Sequence, residues 1–260
     1  MDWIEALILG IIQGLTEFLP VSSSGHLEIG KVLMGVELAD NLTFDIVVHA
    51  ATVCSTIIVF RKQIGDLTKG LFKFEWNPET QYVTKLLFSA VPVIFIGLFL
   101  EDTVEGFFTG NLVLVGAMLF VTAILLSFTY YSKPSDKNIS FFDAFIIGIA
   151  QALAVMPGIS RSGATIATAL LLKNKREEAA QFSFLMVLLP ILGKAGLDIA
   201  RGDLVNNPVQ AIPLIVGFIA AFIVGLLACK LMITLVKRSK LIYFAVYCAL
   251  VAIVAIAFSI

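Results

Sequence analysis

The sequence has 260 residues, of which 59% are hydrophobic and 14% are charged, and its formal net charge is −1. Soluble domains carry about 25% charged residues, so this composition excludes a soluble globular protein and indicates an integral membrane protein. The charges stand in short clusters between apolar runs, a pattern that gives no indication of a nucleic-acid partner.

The first predicted element, residues 3–35, is an apolar segment interrupted by a polar loop. An apolar stretch of about 17 residues leads into the loop 20–26 (PVSSSGH), and a second short apolar stretch follows. A helix needs about 20 apolar residues to cross ~30 Å of hydrocarbon, and each half is shorter than that. We therefore predict a re-entrant helical hairpin with this loop at its tip.

The remaining elements are apolar runs and one further interrupted segment. Three runs of spanning length follow the first hairpin, at 43–60, 82–100 and 110–131. The second interrupted segment, 141–173, has the loop 157–163 (PGISRSG) at its centre. Three more runs follow it, at 178–200, 209–230 and 241–260. The whole chain, 1–260, is therefore predicted to be one all-α polytopic membrane domain with six transmembrane spans and two re-entrant hairpins.

The two interrupted segments are copies of each other. With an offset of 138 positions, residues 6–25 and 144–163 share nine identities, among them a glutamine, two serines and two glycines. The match continues at Phe44 over Phe182, which gives internal repeats of about 1–131 and 139–260. Each repeat holds one hairpin and three spans, an odd number of crossings. The second repeat is therefore predicted to have inverted topology, as in many transporters.

Basic residues predict the orientation in the membrane. Fourteen of the eighteen lysines and arginines fall on one side, near 61–85, 132–140, 173–177 and 230–240. By the positive-inside rule this side is cytoplasmic. The opposite side carries four acidic residues: Glu101, Asp102, Glu105 and Asp203. Both termini are then predicted to face outward, with the first hairpin entering from outside and the second from the cytoplasm.

The two loop tips carry the polar residues from which we predict a binding site. Lipid-exposed irregular backbone does not occur at membrane depth, because each unpaired N–H or C=O costs several kcal/mol. Both tips must therefore be buried in protein or line a wet cavity, and each leads into a helix N-terminus, which favours an anion. The residues expected to bind the anion are Ser22, Ser24, Gly25, Ser160, Ser162, Gly163 and Thr165. Ordinary helix capping is the alternative role for any one of these serines.

Charged and nucleophilic side chains near the tips indicate chemistry beyond binding. Arg161 is a permanent cation suited to bidentate phosphate contact. Glu17 lies i, i+4 from Gln13 on one helix face, and it could hold a metal ion, act as a general base, or simply pair with Arg161. His26 is a candidate nucleophile or acid–base, and Ser23 is a second candidate nucleophile.

Two more polar residues, Asp45 and His49, lie on one face of the run 43–60. Because the spacing i, i+4 makes them neighbours on a helix, we predict that they form a supporting layer around the site.

Two motifs resemble those of a known family. Gln13-x-x-x-Glu17 followed by 18–26 (FLPVSSSGH) resembles the first signature of the BacA (UppP) family of undecaprenyl-pyrophosphate phosphatases, and 157–165 (PGISRSGAT) is similar to the second. The resemblance implies interlocked re-entrant hairpins and hydrolysis of a C55 isoprenoid diphosphate to the monophosphate. It further implies recycling of the carrier for cell-wall polymers at the outer face of the plasma membrane, assisted by a divalent cation, Mg²⁺ or Ca²⁺. Many relatives carry glutamate where this chain has Gln13, so a mechanism with two carboxylates in this motif is not expected.

The residues and the resemblance together give a predicted mechanism. Arg161 and the loop N–H groups hold the phosphates, and Glu17 with Gln13 positions the cation. His26 or Ser23 attacks the terminal phosphorus or activates water, with a slight preference for His26. The predicted partners are a polyprenyl diphosphate and membrane lipid, and a homodimer is left open. The alternative function is a polyprenyl-phosphate transporter or flippase without hydrolysis, since broken helices in an inverted repeat are typical of transporters.

Overall fold

Helix is the main regular structure in the computed structural model, which describes residues 1–36, 42–100, 103–104, 106–108, 110–133, 135–201, 211–238 and 240–259. In chain order the helices are α1 (Trp3–Thr16), α2 (Ser23–Met34), α3 (Leu42–Val59), α4 (Arg61–Leu71), α5 (Pro78–Phe99), α6 (Leu112–Phe128), α7 (Phe141–Leu153), α8 (Arg161–Leu171), α9 (Arg176–Met186), α10 (Leu188–Arg201), α11 (Ala211–Lys237) and α12 (Ile242–Ala257). A 3₁₀ turn, Thr129–Tyr131, extends α6.

Several of these helices fit a multi-pass membrane protein. Within the described ranges, three are long and apolar enough to cross a membrane: α5, α6 with its 3₁₀ turn, and α11. The pair α3 and α4 is also long and apolar enough when its two helices are taken together, and it bends by 75° at a short break. The helices α1, α7 and α12 are apolar but shorter. Many large apolar side chains lie exposed along them, as a lipid-facing surface requires.

The predicted span at 178–200 differs from the structure, where two helices occupy this run. The helix α9 ends at Met186 and α10 begins at Leu188, with Val187 between them. Pro190 lies in the first turn of α10, where a residue without an N–H is tolerated, whereas a continuous helix through it would lose a hydrogen bond. The proline therefore explains why one apolar run becomes two shorter helices.

The two interrupted segments are helix pairs, as their Pro/Gly/Ser breaks predict. In the first pair α2 folds back on α1, and in the second pair α8 folds back on α7. Each pair begins with a capping box, formed by Asp2 with Glu5 and by Ser140 with Asp143. The capping boxes fix where each first arm starts, and residues 17–22 and 154–160 connect the arms.

The two halves of the chain exchange packing partners. The first arm of each pair packs on a long helix of the other half, α1 on α11 and α7 on α5. Glycines permit both contacts. A Cβ added at Gly10 would lie 2.6 Å from the carbonyl oxygen of Gly217, and one added at Gly148 would collide with the carbonyl oxygen of Ser89. The helices α6 and α12, one from each half, also pack on each other, so contacts between the halves run along the whole chain.

The connections rich in lysine and arginine gather at one end of the molecule. Three contacts join them: Trp76 stacks on Phe141 at 6.3 Å, the Lys175 N–H donates to the Lys137 carbonyl at 2.8 Å, and the Lys237 ammonium lies 2.6 Å from the Glu177 carboxylate. The charge-rich loops are thus neighbours in space although they are far apart in sequence.

The opposite end is held by two buried charges, Glu28 and Lys31, and by the half-buried Asp45. The Gly110 N–H donates to Glu28 at 2.6 Å, and the Lys31 ammonium bonds both oxygens of Asp45 at 2.6 and 2.7 Å. The acidic residues predicted for this end, Glu101, Asp102, Glu105 and Asp203, lie outside the described residues.

Gly158, in the connection between α7 and α8, should tolerate no side chain. Its φ is +97°, and an added Cβ would lie 2.5 Å from the Val115 carbonyl oxygen. We expect Gly158→Ala to lower the free energy of unfolding by about 1–3 kcal/mol, the usual cost of overpacking. Thermal unfolding in detergent, followed by circular dichroism, measures this.

Gly65 provides the matched control, since nothing lies within 4 Å of its added Cβ. Alanine there should leave stability unchanged or raise it by up to about 1 kcal/mol through helix propensity. Equal unfolding midpoints for the two variants would contradict the packing described for Gly158.

Candidate active site

The tips of the two helix pairs meet inside the protein. A Cβ added at Gly25 would lie 3.0 Å from the Cα of Gly158, and one added at Gly163 would lie 3.3 Å from the Cβ of Pro20. The Ser162 hydroxyl donates to the carbonyl of the opposite tip at Leu19, at 3.3 Å. The predicted approach of the two loops is therefore what the folded chain has.

Serines cap the helix that follows each tip. The Ser22 hydroxyl accepts from the Gly25 N–H at 3.3 Å, and the Ser160 hydroxyl accepts from the Gly163 N–H at 3.0 Å. Ser22 holds a left-handed φ of 70°, a conformation that costs energy for a residue with a side chain. Both hydroxyls are buried and already bonded in the caps. An anion would therefore bind to the remaining free N–H groups of the two helix starts.

The other predicted anion-binding hydroxyls lie beside the caps. The Ser24 hydroxyl is 3.4 Å from that of Ser22, and the Ser162 hydroxyl is 3.3 Å from that of Ser160. Thr165, one turn further along α8, donates to the Arg161 carbonyl at 2.8 Å, and its hydroxyl lies 2.5 Å from that of Ser183. Thr165 thus supports the backbone of α8 at the site.

A buried carboxylate is the centre of the site. Glu17, with 6% of its side chain exposed, accepts from Ser23 Oγ at 2.6 Å, from Gln13 Nε2 at 3.0 Å and from Arg161 Nη2 at 3.2 Å. The guanidinium offsets the charge that burial would otherwise make costly. Four residues that the sequence singled out are therefore in direct contact, across two segments 144 positions apart.

Ser23 and Arg161 occupy equivalent positions in the two repeats, because 23 plus the offset of 138 is 161. Both side chains nonetheless reach the same carboxylate, Glu17. The position equivalent to Glu17 is Val155, which is apolar. The repeats thus supply one carboxylate, one hydroxyl and one cation to a single asymmetric site.

His49 lies next to the central carboxylate. Its Nε2 is 3.7 Å from Glu17 Oε2, and its Nδ1 lies 2.8 Å from the Asp45 carbonyl oxygen. The Asp45 side chain is elsewhere, since it is bonded to Lys31. Of the two residues predicted to support the site, His49 reaches it through its side chain and Asp45 contributes a backbone carbonyl. The i, i+4 spacing on α3 was the signal for this pair.

His26 stands apart from the carboxylate. Its Nδ1 lies 2.8 Å from the Ser22 carbonyl oxygen and its Nε2 lies 2.9 Å from the Tyr247 hydroxyl. A ring nitrogen facing a carbonyl must carry the hydrogen, so Nε2 accepts from the tyrosine. Tyr247 stacks on the imidazole at 5.6 Å. Nothing in the sequence singled out this tyrosine, which lies in the last apolar run.

A cavity of about 20 Å³ adjoins the site, with Glu17, Arg161, Ser162, Thr165 and Gln151 among the residues of its wall. A cavity of this volume has room for about one water molecule. The site therefore contains space for a small oxygen ligand beside the carboxylate and the guanidinium.

The predicted divalent cation would need oxygen ligands from the site. Across the part of the chain that the structure describes, no group of three or more His, Cys, Asp or Glu residues could hold a metal ion. Gln13 Oε1, however, is buried without a hydrogen-bond partner there, beside the Glu17 carboxylate. Mg²⁺ commonly binds one or two carboxylates together with substrate phosphates. The residues present therefore fit a cation that phosphate oxygens also bind, and they do not fit an all-protein metal site.

Comparison with known proteins gives consistent matches. Residues 6–254 match the model of a protein family described as bacitracin resistance protein BacA. A protein from Bacteroides fragilis is 57% identical over 263 residues, which covers 100% of this chain and 99% of the relative. Proteins from Parabacteroides distasonis and Christiangramia forsetii are 58% and 50% identical, over 99% and 100% of this chain and 98% and 99% of theirs. All three are named undecaprenyl-diphosphatase.

Proposed function

The chain belongs to the BacA family, and on that basis we propose that it hydrolyses undecaprenyl diphosphate to undecaprenyl phosphate and inorganic phosphate. The observation that carries this function is the contact of Glu17 with both Ser23 and Arg161 where the two tips meet. A carboxylate, a hydroxyl and a guanidinium within hydrogen-bond distance can activate a nucleophile and bind a phosphate at once.

Binding of the head group is the first step of the mechanism. The prenyl tail remains in lipid while the diphosphate enters between the tips. The N-termini of α2 and α8 offer free N–H groups to its oxygens, and Arg161 contributes the guanidinium N–H groups that Glu17 does not use. These donors offset the negative charge that develops on the phosphoryl group during transfer.

Attack on phosphorus is the second step, and the geometry favours Ser23 over His26 as the nucleophile. The Ser23 hydroxyl already donates to Glu17 at 2.6 Å, so the carboxylate can take its proton as the oxygen attacks. The bond from phosphorus to the bridging oxygen then breaks, and undecaprenyl phosphate leaves with the electron pair. Water hydrolyses the phosphoserine and releases phosphate. His26 Nε2, in contrast, is occupied by the Tyr247 hydroxyl.

The divalent cation has a supporting place in this mechanism. Glu17 and the free Oε1 of Gln13 would hold it together with the diphosphate. When bound, Mg²⁺ or Ca²⁺ neutralises charge on the phosphate oxygens and orients them.

We further propose that the fold is an inverted repeat of six crossings and two re-entrant hairpins, in which α9 and α10 together form one crossing that is broken at Val187. The contacts between equivalent positions of the two halves support this topology. Gly25 faces Gly158, and the equivalent Gly163 faces the equivalent Pro20, as a two-fold axis relating the halves would require. The clustering of the basic connections at one end supports a cytoplasmic location for that end. The site would then open to the outer face of the plasma membrane, where it would recycle the cell-wall lipid carrier.

Cysteine labelling tests the orientation. Lys69 and Ser259 are both exposed, at the end of α4 and just after α12. In intact cells we expect a membrane-impermeant maleimide to label Ser259→Cys and to leave Lys69→Cys unlabelled. Both should react once the membrane is permeabilised, which controls for accessibility. Labelling at position 69 alone in intact cells would mean that the orientation is reversed.

Phosphate release by the purified protein tests the proposed activity. Farnesyl and undecaprenyl diphosphate are suitable substrates in detergent with Mg²⁺ or Ca²⁺. A transporter without chemistry would release no phosphate but would move polyprenyl phosphate across liposome membranes. The Glu17–Ser23 contact favours the enzyme, because anion binding alone does not require a carboxylate bonded to a hydroxyl.

A further inference from the structure

Gln151, near the end of α7, is a buried amide that the mechanism above leaves unused. Its side chain is fully buried, and within the described part of the chain neither its nitrogen nor its oxygen has a hydrogen-bond partner. A buried amide without partners is costly to keep, and such groups are expected where a ligand supplies the missing bonds.

The internal repeat explains why Gln151 has no partner among the described residues. Its equivalent in the first hairpin, Gln13, donates to Glu17 one turn further along. In the second hairpin the position equivalent to Glu17 is Val155, which can accept no hydrogen bond. The second amide therefore has the equivalent place in the fold but no carboxylate one turn further along.

The cavity beside the site offers the space that a partner would need. Gln151 lines this cavity together with Glu17 and Arg161, and its volume is about 20 Å³. That volume holds about one water molecule, and an oxygen atom of a phosphate group is of similar size. Arg161 on the same wall supplies a positive charge, which favours an anionic oxygen.

We propose that Gln151 is a substrate-binding residue, whose amide bonds one oxygen of the bound diphosphate inside this cavity. The proposal rests on the proposed function in that a diphosphate is the ligand. A resident water could satisfy the same amide by the same chemistry, and the experiment below separates the two sources.

The test compares Gln151→Met with the native protein in detergent. Methionine has nearly the same length but forms no comparable hydrogen bond. Because the amide has no partner among the described residues, we expect the unfolding midpoint to stay the same or rise. The affinity for inorganic pyrophosphate, measured by isothermal titration calorimetry with Mg²⁺ present, should fall about 10- to 100-fold, the range for a hydrogen bond to a charged group.

The kinetic readout distinguishes binding from a structural role. A contact made equally in the ground state and the transition state raises KM and leaves kcat nearly unchanged. We expect this pattern for farnesyl diphosphate with Gln151→Met, and a smaller rise of KM with Gln151→Asn, which retains a shortened amide. The asparagine variant also serves if the methionine variant does not fold.

Gln63→Met is the matched control, because that glutamine lies on α4 and is not among the residues of the cavity wall. It should leave pyrophosphate affinity unchanged. A lower unfolding midpoint for Gln151→Met with unchanged pyrophosphate affinity would assign the cavity to water and overturn the proposal. If the native protein releases no phosphate, the proposed function fails; if it does and all Gln151 variants bind pyrophosphate normally, only this inference fails.

Discussion

Glu17→Gln is expected to abolish phosphate release at every attainable Mg²⁺ or Ca²⁺ concentration. The substitution keeps the size of the side chain and removes its charge. Ser23 then loses the group that accepts its proton at 2.6 Å, and removal of a general base costs about 10²- to 10⁴-fold in rate. A cation bound beside Gln13 would lose the charge of Glu17 in the same change. Phosphate release from farnesyl diphosphate over a series of metal concentrations measures the effect.

Gln13→Glu is the informative counterpart, since it adds a charge where Glu17→Gln removes one. It should remain active and require less metal, because a second carboxylate raises the affinity for a hard cation. A general loss of packing at this helix end would impair both variants alike. Activity of Gln13→Glu at a lower metal concentration, with Glu17→Gln inactive at all of them, would tie the effect to the carboxylate charge.

Stability must be followed in the same experiment. Arg161 loses its carboxylate partner in Glu17→Gln, and breaking a buried ion pair by removing one partner costs about 3–5 kcal/mol. The Arg161 side chain is 26% exposed, so solvent should reduce this cost. If well-folded Glu17→Gln hydrolyses the substrate at a normal rate with metal present, the metal–carboxylate mechanism is wrong. His26 and Arg161 would then have to catalyse the hydrolysis without the carboxylate.

Much of the fold was predictable, because a strong physical constraint acts on the two interrupted segments. A Pro/Gly/Ser loop inside apolar sequence has to be protected from lipid, and its duplication predicted that two such loops would meet. The break at Val187 was not predicted, because the run 178–200 has the length and hydrophobicity of a single span although Pro190 lies near its middle. The helix α4 was missed as well. It lies in a segment assigned to a connection by its charge, and its 75° bend from α3 depends on packing.

The candidate site was predictable only as a set of residues. Pairing of Glu17 with Arg161 was one of three alternatives open from sequence, and the structure has that contact. The contact of Ser23 with Glu17 depends on the conformation of the turn between α1 and α2, and the contact of Tyr247 with His26 joins side chains 221 positions apart. No local pattern carries that information. The repeat alignment places Gln151 over Gln13 and Val155 over Glu17, but the burial of the Gln151 side chain could not be predicted from it.

Arg161→Lys is expected to preserve the fold and to lose most of the turnover. Lysine keeps the positive charge, so the ion pair with Glu17 can persist. It lacks the planar fork, which in arginine can bond a carboxylate with one nitrogen and a phosphate with the others. With a single ammonium, contact with Glu17 and contact with the phosphate compete. We therefore expect a loss of about 2–4 kcal/mol of transition-state stabilisation, by analogy with the loss of one oxyanion donor.

That loss corresponds to a decrease in kcat/KM of about 30- to 1,000-fold, measured by phosphate release from farnesyl diphosphate. Arg176→Lys is the matched control. Arg176 begins α9 and donates to the Ser132 carbonyl at 3.3 Å, at the basic end of the protein, so the same substitution there should leave turnover unchanged. The unfolding midpoints of both variants should stay close to the native value. Near-native phosphate release by well-folded Arg161→Lys would remove the guanidinium fork from the mechanism, and a point charge at the meeting of the two tips would then be enough.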